Sequence, residues 1–434
     1  MKKRIVSALL LLSTLLSGCN GSTAPSNAVD DPTDSDSSSS SPGSTDTPSE
    51  EATVESEDTM NESKEATLVK NNGSGKAQEA VYNLGLTILD ANNDTDNIMI
   101  SPVSIERALA MALDGASGET YQQLYKALYG SLPEDVTSGL SNLYKVYDDQ
   151  EESFVIANSI WANSDNSIKL TKDYSDKITE KYSAESDSLP FSAPASVERI
   201  NSWVSDKTHQ QIPSIIRELA PDQNIVIVNS TYFKSAWFNE FTEGSDTYSF
   251  KNADGSTSTP TAMYSYGDDS YLKIKGHEAF KKGYVNGFYY VAVLPEESKT
   301  TSDVLRELSY EDITEAIPEK VILNLTFPSY ESDYDVELTE TLKSMGIEEA
   351  FSNDATFDKM CNVNCKLSSV IHKTHIKLDE KGTEAAAATA VIMAMTSALV
   401  EKPVVELVFD RPFVYYIFNQ DDVPVFMGVV NNVK

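Results

Sequence analysis

Asp379-Glu380-Lys381-Gly382-Thr383-Glu384-Ala385-Ala386-Ala387-Ala388-Thr389-Ala390 opens a run in which residues 385–400 carry no charge. Four readings compete for it. Alanine is the best helix former, so propensity alone favours a buried core helix. A surface helix would need a polar face, and this one would be uncharged all round. As a membrane span, sixteen helical residues reach only about 24 Å, short of the roughly 30 Å of a hydrocarbon core. The fourth reading follows the alternation. In a strand, Thr383, Ala385, Ala387 and Thr389 share one face and all are small. Glu384, Ala386, Ala388 and Ala390 share the other, where Glu384 can reach water. Side chains this small fit between strands beneath a covering layer, where a bulky one would clash with a close-packed interior. Gly382 supplies backbone freedom where a loop turns into a strand. One sequence thus suits both an exposed loop and an inserted strand.

The surroundings supply a sheet to receive it. Residues 225–233 form a run apolar on both faces, which predicts a central strand. Residues 154–162, 289–294, 321–327, 371–378, 404–409 and 413–419 are further strand candidates. Helical spacing occurs over 76–90, 119–129, 136–147 and 197–219, the last with a break expected at Pro213. Ser101 and Pro102 suit the cap and first turn of another helix. Helices dominate the first half and strands the second, without regular strand–helix repetition. The pattern predicts a mixed α+β domain with large sheets.

The chain has 434 residues, 34 basic against 67 acidic, for a formal charge of −33. Neutralising phosphates takes clustered Lys and Arg, so a nucleic-acid partner is not expected. Three cysteines are too few for a disulfide scaffold, and four histidines leave little for an imidazole metal site. Lys2, Lys3 and Arg4 precede an apolar run over 5–16, too short to span a membrane. It ends in Leu16-Ser17-Gly18-Cys19, which resembles the bacterial lipobox, with Cys19 as the lipidated residue. Residues 1–18 therefore read as a lipoprotein signal peptide. Over 20–75, twelve acidic residues face two basic ones amid Ser, Thr, Pro and Gly. Such a stretch stays solvated, so 19–75 reads as a disordered acidic tether. The folded part is 76–434, still net −26.

The family resemblance rests on motifs spread through this folded part. The stretch 380–389 resembles the hinge of inhibitory serpins, the serine-protease-inhibitor family. Phe409-Asp410-Arg411-Pro412-Phe413-Val414 resembles the family's C-terminal signature and Phe426-Met427-Gly428-Val429-Val430-Asn431 its chain end. Residues 97–105 are similar to the start of its second helix. Asn229 with Tyr232-Phe233-Lys234 and Trp237 is similar to its central-strand motif, and residues 342–351 to another.

The resemblance implies an α+β serpin fold, three β-sheets surrounded by about eight to nine helices with an exposed reactive-centre loop. It implies a protease inhibitor, not an enzyme: an irreversible suicide substrate that traps a serine protease as a covalent acyl-enzyme while the cut loop inserts into the central sheet. No cofactor is implied, and the chain is expected to act as a monomer. The hinge residues would be Glu380, Gly382, Thr383, Glu384, Ala385, Ala386, Ala387, Ala388 and Thr389. The family's spacing places the scissile bond at Thr396–Ser397. About five residues more than usual precede Arg411, which leaves Met393, Met395, Ala398 and Leu399 as nearby alternatives. With no Lys, Arg, Asp or Glu over 385–400, the target is expected to be elastase-like or subtilisin-like. The alternative is a non-inhibitory serpin-fold surface binding or adhesion protein. Ser101, Ser104, Asn229 and His372 match a polar network under the sheet where it opens. Trp237 and Glu380 match the place where the loop begins to insert, and Ser329 stands where many relatives carry the Lys that pairs with the hinge Glu. The protein is expected at the cell surface, held by lipid on Cys19.

Other chemistries are weaker. His372 and His375 lie on one strand, would face opposite sides, and lack a third ligand at metal spacing. Cys361 and Cys365 flank Asn-Val-Asn; the alternatives are a local disulfide and two free surface thiols. Gly-x-Ser-x-Gly does not occur, so no hydrolase nucleophile stands out.

Overall fold

The computed structural model describes residues 58–137, 140, 146–148, 152–267, 269–383 and 402–434. The chain divides into two compact units, 1–58 and 59–434; the sheets and the site belong to the second. Cys19, the signal peptide, and the positions from Glu384 through Thr389 and on to Leu399, including the Thr396–Ser397 bond, lie outside the described residues.

Seven strands build the largest sheet: β1 (Tyr147–Asp148), β2 (Ser153–Asn163), β3 (Glu185–Leu189), β4 (Ile225–Ala236), β5 (Tyr330–Glu337), β6 (Leu367–Leu378) and β7 (Gly382–Thr383). Their order is β5-β6-β7-β4-β2-β1, with β3 alongside β2. A six-stranded antiparallel sheet runs Ile98–Ile100, Pro424–Val430, Phe413–Phe418, Tyr289–Leu294, His277–Gly283 and Ser270–Ile274. A four-stranded sheet joins Val404–Val408, Ile322–Pro328, Thr261–Tyr266 and Thr242–Thr247. The α+β architecture with three sheets is as expected from the sequence.

Apolar runs made the central strands legible. In β4 every residue but Lys234 is buried, and all of β2 is buried, as strands covered on both faces require. On the inner face lies helix α2 (Pro102–Gly115; α1 is Asp58–Asn92), in which only Asp114 escapes full burial. The outer face of β2 and β4 carries a second apolar cluster of Trp161, Trp203, Ile200, Val204, Ile212 and Ile216.

Some local expectations are corrected. The helix expected over 197–219 is Pro194–Lys207. Beyond it the Asn201 carboxamide oxygen accepts the N–H groups of Ile215 (2.8 Å) and Ile216 (3.0 Å), and Thr208 Oγ1 accepts that of Ile212 (3.2 Å). Side chains thus replace the helical ladder, and the apolar spacing recorded packing rather than a helix. Of the helix expected over 136–147, residues 136–137 are helical within Glu134–Thr137, residues 138–139 and 141–145 lie outside the described residues, and Tyr147 pairs with Phe154 in the sheet. Helix α1 starts at Asp58, inside the stretch read as tether. Residues 60–70 include Met, Glu, Lys, Ala and Leu, good helix formers that an acidic composition conceals. Strand β5 escaped notice because Glu331, Asp333, Asp335 and Glu337 occupy its exposed face, a guarded sheet edge. Cys361 and Cys365 are joined as a disulfide.

Candidate functional site: a sheet seam closed at one end and parted at the other

Strands β4 and β6 run parallel and pair directly from Leu367↔Ile225 to Thr374↔Thr231. Farther along they diverge, and β7 lies between them: Thr383 opposes Leu378 of β6, and Gly382 and Thr383 oppose Ala236 and Ser235 of β4. The segment read as the hinge therefore begins, at Gly382–Thr383, as a strand wedged into the parted end of the seam.

The reversal from β6 into β7 is made by Asp379. Its Oδ1 accepts from the N–H of Lys381 (2.9 Å) and Gly382 (3.3 Å), and its own N–H donates to the Gly382 carbonyl (3.0 Å). This side-chain-capped turn relieves Gly382 of the role expected of it; Gly382 sits buried in the strand rather than at the bend. Three successive carbonyls are then gripped from one side. The Trp237 indole N–H donates to Asp379 O (3.0 Å), the Trp237 amide to Lys381 O (2.8 Å) and the Phe241 amide to Glu380 O (2.8 Å). Trp237 stacks on Tyr284, centroids 4.2 Å apart. The Tyr284 hydroxyl lies 2.8 Å from Thr383 Oγ1, and Thr383 is 1% exposed. Thus Thr383 occupies the buried face expected for it. Glu380 is held through its backbone, and among the described residues no basic side chain pairs with its carboxylate.

At the closed end the four expected polar residues meet, Ser101 through its backbone N–H alone: its buried hydroxyl makes no hydrogen bond among the described residues and does not cap α2 as expected. His372 opposes Asn229 across the β6–β4 pairing, and both are fully buried. Burial pushes the imidazole pKa down to about 3, so the ring is neutral. Its Nε2 accepts the Ser101 N–H (3.0 Å), which leaves the proton on Nδ1 to donate to Asn229 Oδ1. The Asn229 amide faces Ser104 O (2.9 Å), Ser104 Oγ (2.5 Å) and Asn158 Oδ1. Thr374 Oγ1 donates to Met99 O (2.8 Å). Helix α2, through Ser101 at its start and Ser104 in its first turn, is thereby tied to both strands of the seam. Sequence reasoning missed Asn158, which opposes Asn229 from β2; its signal is a lone carboxamide within an apolar run. It also missed Asp379, Phe241 and Tyr284. Asp-x-Lys-Gly is a legible turn signal, whereas the two aromatics look like any other core residue.

Of the paired histidines, His372 is in this network and His375 Nδ1 lies 2.9 Å from Asp333 Oδ1 on β5. Among the described residues no group of three or more His, Cys, Asp or Glu is placed to hold a metal ion, and no helix is long and apolar enough to cross a membrane.

Comparison with known proteins gives the same frame. Residues 80–433 match the family model described as Serpin (serine protease inhibitor). A serpin-like protein of Thermococcus kodakarensis is 30% identical over 360 residues, 80% of this chain and 82% of that one. The thermophilic serpin tengpin, in its native state, superimposes with a TM-score of 0.71 at 28% identity, covering 82% of this chain and 94% of that one. Human thyroxine-binding globulin gives a TM-score of 0.72 at 25% identity, covering 84% and 99%. A family match across nearly all of the folded unit, on a chain whose sheet order and parted seam stand independently of it, establishes that this protein belongs to the serpin family of serine protease inhibitors.

Proposed function

We propose that the protein is a single-use covalent inhibitor of a serine protease with elastase-like or subtilisin-like specificity. The protease attacks a bond near Thr396–Ser397 as it would a substrate, and its serine becomes acylated by the loop. The leaving amine departs with the C-terminal segment. The freed loop then continues as a strand from Thr383 between β4 and β6, carrying the protease with it. The observation that carries this reading is the start of that strand, Gly382–Thr383, lodged between two parallel strands that pair directly farther along. In an inserted strand the small side chains of Ala385, Ala387 and Thr389 would share a face with Thr383. The uncharged loop suits a small or medium apolar specificity pocket. We further propose lipid attachment at Cys19, with residues 19–75 spacing a monomeric inhibitor from a membrane surface, and display outside the cell.

Incubation with an elastase-type protease tests this. The expected outcome is a complex that survives boiling in detergent, with release of a small C-terminal peptide whose mass fixes the bond. The similarity to thyroxine-binding globulin favours a second reading, a binding protein on the same fold. A cleaved band without any complex would select it.

A further inference from the structure

Beneath the gripped hinge lies a buried ion pair. Lys282, on the strand His277–Gly283, has a side chain 1% exposed, and Asp269 opposite it is 4% exposed. The Lys282 ammonium lies 2.9 Å from each Asp269 oxygen, and Ser265 Oγ donates to the same carboxylate (2.5 Å). Taking two charges out of water is costly, and apolar residues of similar size would serve a core as well or better. A pair kept there calls for a further role. The ammonium sits over the Phe241 ring, 4.3 Å from its centroid, and 5.9 Å from that of Trp237. These are the two residues that grip the carbonyls of Asp379, Glu380 and Lys381. Two residues on from Lys282, Tyr284 stacks on Trp237, and its hydroxyl lies 2.8 Å from Thr383 Oγ1.

We propose that Lys282, anchored by Asp269, is a positioning residue for loop insertion: its cation orients Phe241 and Trp237, and through them aims the hinge into the parted seam. The inference rests on the inhibitory reading above. It makes the pair a determinant of how often the acylated loop inserts before the protease hydrolyses free, not of how fast the protease first binds. A cation held in a dry site over an aromatic ring attracts it strongly, and the fixed Asp269 keeps that cation from following a moving ring.

The test compares wild type, Lys282→Arg, and the double variant Lys282→Met with Asp269→Asn, which leaves no charge buried alone. In the double variant the stoichiometry of inhibition should rise roughly three- to thirty-fold, the range of a desolvated cation–π contact. The protease association rate and the native Tm should stay at or above wild type, and Lys282→Arg, which keeps the cation, should keep the wild-type stoichiometry. A merely structural pair would instead move Tm and leave stoichiometry alone, and that result overturns the proposal. Should the wild type form no complex with any protease, the inhibitory reading has failed on its own. Uptake of a synthetic peptide copying residues 383–394, read as a gain in Tm, then decides: equal rates in wild type and double variant also overturn it.

Discussion

The two ends of the β4–β6 seam are built from the same two strands yet hold opposite states. From Leu367 to Thr374 the strands are in direct register, and His372, Asn229, Ser104 and Asn158 lock them to helix α2. Past Thr374 they part, and two residues of the hinge stand between them under Trp237 and Tyr284. In the parted end, aromatic faces and backbone bonds support a strand that has begun. In the closed end, buried polar groups with neutral partners hold the pairing that must break for that strand to continue. Such a polar network is costly when half satisfied, so under the proposed mechanism it would change between arrangements rather than yield gradually. Under the proposed mechanism, the opening cost therefore lies chiefly at the network, and the direction of opening is set at the hinge.

The sharpest way to break this contrast is to block the hinge. Thr383→Arg would force a cation into a site that is 1% exposed, at about 3–5 kcal/mol for an unpaired buried charge. The protein should turn from inhibitor into substrate, with covalent complex on gels reduced by more than about tenfold. Undiminished complex would place insertion elsewhere.

The next largest effect falls at the closed end. Asn229→Ala strands His372 Nδ1–H and takes the amide donor from Ser104 Oγ and Asn158 Oδ1. It should cost about 3 kcal/mol of native stability, read as a lower urea midpoint at unchanged slope. A loss no larger than that of an exposed Asn→Ala control would mean that the network does not hold the seam.

His372 also gives the closed end a pH dependence. Its folded pKa, about 3, lies below the roughly 6.5 of an unfolded histidine. Between these values the unfolded chain binds the extra proton. Stability is thus full above about pH 6.5 and falls toward pH 3, by at most about 1.4 kcal/mol per pH unit. Glu106 on helix α2, raised by burial to about 7 from 4.5, has the opposite sign: its contribution is lost as pH rises from 4.5 through 7. The difference between wild type and His372→Gln in urea titrations isolates the histidine, and parallel curves across pH 4–6.5 would remove it as the acid-sensitive group.

The smallest effects belong to the hinge supports. Tyr284→Phe removes the bond to Thr383, and Asp379→Ala removes the turn cap. Each should cost about 1 kcal/mol and raise amide exchange locally over 379–383, leaving exchange at Asn229 unchanged. Exchange spreading equally to both ends would erase the distinction between them.

How much of this was legible follows from what each feature depends on. The small alternating hinge, the doubly apolar β4 and the polar positions Ser101, Ser104, Asn229 and His372 stood out because local pattern conflicts with local environment: small where bulk is usual, polar where apolar is usual. The helix expected over 197–219 failed because the spacing of Ile212 and Ile216 records packing on Trp161 and Trp203, whichever backbone delivers it. Strand β5 failed because the four carboxylates of its exposed face masked the alternating inward face of Tyr330, Tyr334 and Val336.

The sequence by itself determined which residues could enter a sheet, which strands must lie at its centre, and the family to which the whole pattern is similar. Only the tertiary structure decided that Asp379 rather than Gly382 makes the turn, that Asn158 completes the network, and that Lys282 and Asp269 lie under the hinge. Those partners are brought together by strand register and sheet packing across long stretches of chain, and periodicity along a chain carries no record of which distant residue will stand opposite.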